Sequence, residues 1–479
     1  MYADCSRNTF RPARHFRRVL MQQGRVQIDA DFNEQVAILL HYMEAMAADL
    51  FGSHGGPKQN CGFEIMRSVP ENLLPKGESQ HLQAGLKRTS NFAIGPGHYY
   101  VDGMLCENDA YLLYDEQPDY PGAALPSEAG TYLVYLDAWE RHISHVEDKA
   151  LDAGSAPGIR EVALGGPDTA SRSRMVCQVK LIPVSWEGTA IQKSKLPLPA
   201  QPEEKDTRQK QITAFSAEDL HLLIDGATPG DTPRLAARAA GAAAAEGEIC
   251  LAGPGAPYRG AENQLYRVEI HTGGQAGSAC FKWSRENGSV VFPIRSVAGQ
   301  TVTLGSFGAD ARLDLHEGDW VELLDDELVY SGKPSQLCKV VTLDRDVLQV
   351  SLDCEEPLSV GNDLGKHPLL RRWDHGEQAD AKSGCVPLRA GPPEWLPLEH
   401  GVQIRFEPGK TYRSGEYWQI PARTVAGAEN GDVEWSLDRD GAPELAPPHG
   451  IVHHYAPLAL IDLPLKEGSE PASCRNGGK

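Results

Sequence analysis

No run of about 18 apolar residues occurs anywhere in this 479-residue chain, so no helix able to span a bilayer is encoded. No apolar h-region follows the arginines near the N-terminus, so a Sec-type leader is not expected and synthesis in the cytoplasm without membrane insertion is. The ten cysteines include no CxxC pair, and even the nearest two, Cys338 and Cys354, lie well apart. Zinc-ribbon and thioredoxin frameworks are therefore poor fits, and mostly buried, reduced thiols are expected. Catalytic signatures are missing as well: there is no GxSxG, no GxxxxGK[ST], no GxGxxG after a strand and no HExxH. Basic residues are in short supply, with 46 Lys and Arg against 66 Asp and Glu for a net charge of −20. General nucleic-acid binding needs a basic face and is not expected.

What the chain has in quantity is turns. Its 48 glycines and 34 prolines punctuate short runs rich in β-branched and aromatic residues, the pattern of strands. The fold class expected is mainly β and multidomain: several small β-sandwich or barrel-like modules with an N-terminal α-helix. A first β domain is read at 80–190, with strands such as TYLVYLDAWER and MVCQVKLIPV. Residues 191–256 form a composition break that includes LAARAAGAAAAEGE; lacking an apolar periodic face, it reads as a linker or variable insertion. A second, barrel-like β domain follows at 257–365, carrying LYRVEIH and FKWSRENGSVVFPI. A third lies at 366–465 with VQIRFEP and GEYWQIPAR, and a polar tail closes the chain at 466–479.

The first 56 residues stand apart as a basic arm and an amphipathic helix. Six arginines against two aspartates give residues 1–30 a charge near +4, which leaves about −24 on the remainder. Asp31 and Glu34 form an Asp version of a capping box, and Gly52 is a natural stop. Between them Phe32, Val36, Leu39, Met43, Met46 and Leu50 recur at spacings of 4, 3, 4, 3 and 4, the seam of a short coiled coil or the stripe of a helix lying on its own domain. Arg11, Arg14, Arg17, Arg18 and Arg25 are the arm's candidates for pairing with carboxylates of a partner.

Other candidate chemistry is thinner. His449, His453 and His454 are the densest histidine cluster, but adjacent strand residues point to opposite faces, so no metal site is read there. Glu140, Glu147, Asp148, Glu161 and Asp168 could supply a glycosidase pair, yet nothing marks two of them as facing each other. No catalytic residue, cofactor or metal is therefore assigned. Trp283 and Trp418 lie in aromatic, charged strands. They are candidates for a sugar platform, with an aromatic core as the competing reading.

Four stretches together carry a resemblance: SRNTFRPARHFRRVLMQQGRVQIDADFNEQ, YLVYLDAWERHI with REVALGGPDTASR, YRGAENQLYRVEIH with FKWSRENGSV, and YRSGEYWQIPARTV with PPHGIVHHYAPLAL. In that order they resemble an uncharacterised bacterial family encoded beside phage-tail-like contractile injection systems and prophage tail genes. The resemblance implies a non-enzymatic structural or accessory component of such a particle, at a baseplate, fibre or other attached position. Its partners would be other particle subunits and sister copies in a homo-oligomer, and it would leave the cell with the particle. The alternatives are a carbohydrate- or cell-envelope-binding module of the particle and a cargo hydrolase.

Overall fold

The computed structural model describes residues 1–70, 79–87, 91–148, 158–164, 168–184, 217–226, 232–240, 258–261, 263–308, 310–389, 394–424, 432–465 and 471–475. The protein is mainly β, with several antiparallel sheets and one long N-terminal helix, as its turn-rich composition leads one to expect. That helix, α1, runs from Asp29 to Phe51. The longer strands that follow are β1 (Gly97–Val101), β2 (Met104–Asn108), β3 (Gly130–Ile143), β4 (Arg172–Pro183), β5 (Leu235–Ala239), β6 (Asn263–Thr272) and β7 (Cys280–Ser284). Then come β8 (Val291–Ala298), β9 (Thr301–Leu304), β10 (Trp320–Leu324), β11 (Gln336–Asp344), β12 (Gln349–Asp353), β13 (Leu369–Trp373), β14 (Val402–Phe406), β15 (Tyr417–Arg423) and β16 (His454–Leu463).

The sheets cross the boundaries that composition draws. β3 and β4 form a long hairpin whose free edge is taken by β16, from the far end of the chain, with Leu136 opposite Ala456 and Leu133 opposite Leu460. β3 is apolar almost without alternation because both faces are covered. Val134, Leu136 and Ala138 join one core with Phe92, Tyr99 and Val101, while Leu133 and Tyr135 join another with Leu220, Tyr455 and Leu460. Leu220 belongs to the helix Ala217–Asp225, inside the stretch read as linker.

The linker reading fails again at β5. LAARA is a strand, its first three residues fully buried, paired residue for residue with β14. Small alanines suit it because Leu235 and Ala237 pack among the aromatic side chains of Tyr258, Tyr266, Trp283 and Trp418. The rest of the alanine run, and the charged QPEEKDTRQKQ before it, lie outside the described residues. The polar tail is also tied down in part: Ala472–Ser473 pairs with β16, and Arg475 donates to the carbonyls of Cys61 and Gly62 at 3.1 and 3.0 Å.

The barrel is real and closed, in the order β8, β9, β12, β11, β10, β13. It ends at Trp373, beyond the expected limit of 365, and it excludes β6 and β7. Those two sit in a five-stranded sheet with β15, so the stretch at 366–465 completes sheets begun elsewhere.

The cysteines also depart from expectation. Cys280 is bonded to Cys385, and Cys338 to Cys354, while Cys5, Cys61, Cys106, Cys177 and Cys474 are free. Spacing along the chain conceals the first pair because β7 and the strand Val386–Pro387 become neighbours only in the sheet, where Cys280 faces Pro387. Alkylation of urea-unfolded, unreduced protein should therefore leave Cys280, Cys338, Cys354 and Cys385 unlabelled in a peptide map. Labelling of those four would show that the bonds do not form.

Candidate functional site

The expected capping box does not form. α1 starts at Asp29, three residues earlier than the pattern implies, with Ile28 at the N-cap position and no side-chain cap. The acids are turned to the arm instead: Asp29 accepts from the Ser6 amide at 2.8 Å and hydroxyl at 2.7 Å, and Glu34 accepts from the Thr9 hydroxyl at 2.6 Å. The arm folds back over the first turn, where the Thr9 hydroxyl takes Glu34 of the expected box and Asp31 lies inside the helix. Gly52 does stop the helix, its amide reaching the Ala48 carbonyl at 2.8 Å.

Only Ala30 and Ile38 are buried along α1. They lie eight residues apart, a little over two turns, and so lie on one side of the helix. The other hold is at the C-terminal half, where the tight turn between β1 and β2 presses on the helix backbone. A Cβ on Gly103, whose φ is +86°, would stand 2.0 Å from the Glu44 carbonyl oxygen, so only glycine fits there. Phe51 stacks on Tyr100 at 4.8 Å between ring centres.

The seam itself is bare. Phe32, Val36, Leu39, Met43, Met46 and Leu50 are between 41% and 73% exposed. Pattern reading missed how far the bare surface extends, because the arm has no helical period to announce it. Phe16, Leu20, Met21, Val26 and Ile28 on the arm are exposed too, as are Leu40, Tyr42 and Phe51 on the helix. Of twenty-three large apolar side chains exposed among the described residues, fourteen lie between Phe16 and Phe51. Apolar exposure scattered singly is ordinary, whereas a contiguous patch marks an interaction site.

The arginines line the same surface. Arg11, Arg14, Arg17, Arg18 and Arg25 are all exposed. Arg11 donates to the carbonyls of Asn8 and Phe10, and Arg14 lies over Phe16 at 5.7 Å. Among the described residues, none of the five meets a carboxylate within salt-bridge distance. Arg7 is the arm arginine that does, pairing with Glu434 at 2.8 Å.

The very start of the arm is anchored rather than free. The Tyr2 ring lies between the guanidinium groups of Arg267 and Arg371, at 3.9 and 3.6 Å, and its hydroxyl donates to Glu269 at 3.0 Å. Asn287 holds the Met1 and Ala3 carbonyls at 3.1 and 2.8 Å. This seat belongs to a buried ionic cluster that ties β6 and β7 to the barrel. Arg267 binds Glu269 at 2.6 Å, Lys282 lies 3.2 Å from Glu269 and also binds Glu322, and the Trp373 indole donates to Glu322 at 2.8 Å. The cluster was signalled by LYRVEIH and FKWSREN, where charges interrupt otherwise apolar strands.

The remaining candidates separate. Trp283 and Trp418 are 2% and 0% exposed and sit in one core, their indoles donating to Gln378 and to the Ala446 carbonyl. Neither can be a surface sugar platform, since β7 is covered on both faces and the Trp418 face of β15 is covered too. His453 turns to Asp137 at 2.7 Å and His454 to Asp102 at 2.8 Å, so the pair does diverge. His449 accepts from the Gln419 amide at 2.9 Å. Among the described residues no group of three or more His, Cys, Asp or Glu is placed to hold a metal. Glu147 is buried against Arg141, Asp168 pairs with His145, the Asp148 carboxylate accepts from the Ile159 amide, and Glu161 accepts from the Ala163 amide. Glu140 is exposed. The carboxylates thus have separate partners.

A multidomain β protein with an anchored N-terminus and an exposed basic, apolar arm and helix is the class these features define. The chain belongs to the family of unknown function DUF6519, the match covering residues 1–214 and 202–475. No curated protein and no solved structure matches it.

Proposed function

We propose that this protein is a non-enzymatic structural or accessory component of a contractile phage-tail-like injection system, attached to the particle through its arm and α1. The observation that carries the docking part is the concentration of bare apolar side chains between Phe16 and Phe51 beside five exposed arginines that meet no carboxylate among the described residues. The injection-system part is supported by the resemblance of four ordered sequence stretches to a family encoded beside tail genes. In this reading the protein is made in the cytoplasm and leaves the cell in the particle. The two disulfides support such a life, because disulfides persist in oxidising surroundings.

Removing residues 1–52 is a poor test, since Tyr2 and the residues around it are part of the buried ionic cluster. Substitution on the bare stripe avoids that difficulty. In sedimented native lysate the wild-type chain should travel with sheath and tube proteins by mass spectrometry. A Leu39→Asp/Met43→Asp chain should remain folded in the supernatant. If the wild-type chain stays free as a small soluble species, the particle reading fails. If the double variant still sediments, docking does not use α1.

A further inference from the structure

From Cys5 on, the arm and the helix divide charge completely. Between Cys5 and Ile28 there are six arginines and no acid; between Asp29 and Phe51 there are five carboxylates, Asp29, Asp31, Glu34, Glu44 and Asp49, and no lysine or arginine. Both halves carry exposed apolar rows: Phe16, Leu20, Met21 and Val26 on one, the six-residue seam on the other. Within one chain the two halves meet by other means. Ser6 and Thr9 bond Asp29 and Glu34, the Val19 amide donates to Gln35 at 2.9 Å, and Phe10 lies 5.7 Å from His41 between ring centres. Arg14, Arg17, Arg18 and Arg25 reach no carboxylate, and Asp31 and Asp49 have no ion-pair partner among the described residues.

Resting on the reading of this surface as a docking site, we infer that its occupant is a second copy of this chain, with the basic arm of one copy laid along the acidic α1 of the next. Two α1 helices seam to seam would leave the arm's apolar row and its arginines unanswered, since none of the basic residues lies on α1. The positions flanking the seam, Asn33, Gln35, Leu40, Tyr42, Ala47 and Asp49, hold no opposite charges of the kind that steer a helix pair. Arm on helix covers both rows and pairs both charges. Such a contact is head-to-tail, so repeating it closes a ring when the rotation between copies permits and otherwise builds an open chain.

The full-length protein, purified and examined by sedimentation or light scattering, tests this directly. Wild type should show at least a doubling of its 52.1 kDa mass, and the mass should fall as NaCl rises, because exposed ion pairs are screened. Arg14→Glu/Arg17→Glu/Arg18→Glu should be monomeric, and so should Asp31→Lys/Asp49→Lys. The chain carrying all five changes should associate again. Circular dichroism verifies that each variant is folded. A wild-type monomer at every concentration would overturn the inference, as would a five-fold variant that stays monomeric. Charge variants of unchanged mass beside a monomeric Leu39→Asp/Met43→Asp chain would replace it with a seam-to-seam helix pair. Self-association without sedimentation with sheath and tube proteins would leave this inference standing and remove the particle reading.

Discussion

Replacing Glu322 by alanine should cost about 3–5 kcal/mol of stability, the range for breaking a buried ion pair from one side. Glu322 is 4% exposed on β10. Burial by itself would raise the pKa of its carboxyl group. Lys282, then Arg371 and His271, outweigh that and hold it down to about 2. Its two oxygens collect the Lys282 ammonium, the Ser335 hydroxyl and the Trp373 indole. Alanine leaves all three donors buried, and among the described residues Lys282 keeps Glu269 as its one carboxylate partner. The penalty is mainly that of a stranded charge, so the remedy is to remove the other charge also. Glu322→Leu/Lys282→Met should be more stable than Glu322→Ala in urea unfolding followed by tryptophan fluorescence. If the double variant is no better than the single one, the cost comes from lost packing and the electrostatic account is wrong.

This cluster also marks where the sequence stopped being legible. Periodicity is local, so the seam of α1 could be read from spacing alone, and so could strands such as β6 and β15. The partner of a strand is a property of distant residues. Nothing within LAARA points to β14, nor anything within β3 to β16, and these pairings decide which sheets exist. The disulfide between Cys280 and Cys385 escaped for the same reason. Alternation likewise cannot tell a tryptophan on a covered face from one on a bare face, and so Trp283 and Trp418 remained candidates until their surroundings were known. At the docking surface the opposite holds. The bare stripe was fully visible as a pattern because it is short-range, and the structure adds what a pattern cannot, namely that its own chain leaves it uncovered. The capping box failed on a third ground: the helix begins at Asp29, so Asp31 lies inside it, and Glu34 is answered by Thr9 of the arm.

Acidification should destabilise this protein through its buried histidines before the ion-paired carboxylates of its core titrate. His54, His142, His271 and His375 are all less than 10% exposed. Burial is the largest cause of their depressed pKa values, about 4 for His54, His271 and His375 and about 3 for His142. Each is neutral in the folded chain, whereas the unfolded chain takes up a proton near pH 6.5. The histidine contribution is therefore complete above about pH 6.5 and is lost as the pH falls from there towards 4, because in that window these imidazoles bind protons only in the unfolded state. Glu416, pushed up to about 7 by burial, gains its proton in the folded chain and offsets part of the loss. The loss approaches about 1.4 kcal/mol per pH unit for each histidine, and four together give a slope of about 5 kcal/mol per unit, comparable to the whole stability of a domain. Glu322, and with it Glu269 and Glu147, whose pKa values are lowered as well, add their losses only below the ordinary carboxylate range. Urea midpoints measured at about pH 7.5, 6.5 and 5.5 should fall steeply across the last interval. His142 provides the internal control, since neither of its ring nitrogens has a hydrogen-bond partner among the described residues. His142→Phe keeps a ring beside Tyr2, with which the imidazole makes an edge contact at 6.1 Å between centres. It should leave stability near neutral pH undiminished and reduce the acid slope by about a quarter. A wild-type midpoint that stays level down to about pH 5 would mean that these imidazoles are hydrated and titrate freely in the folded protein.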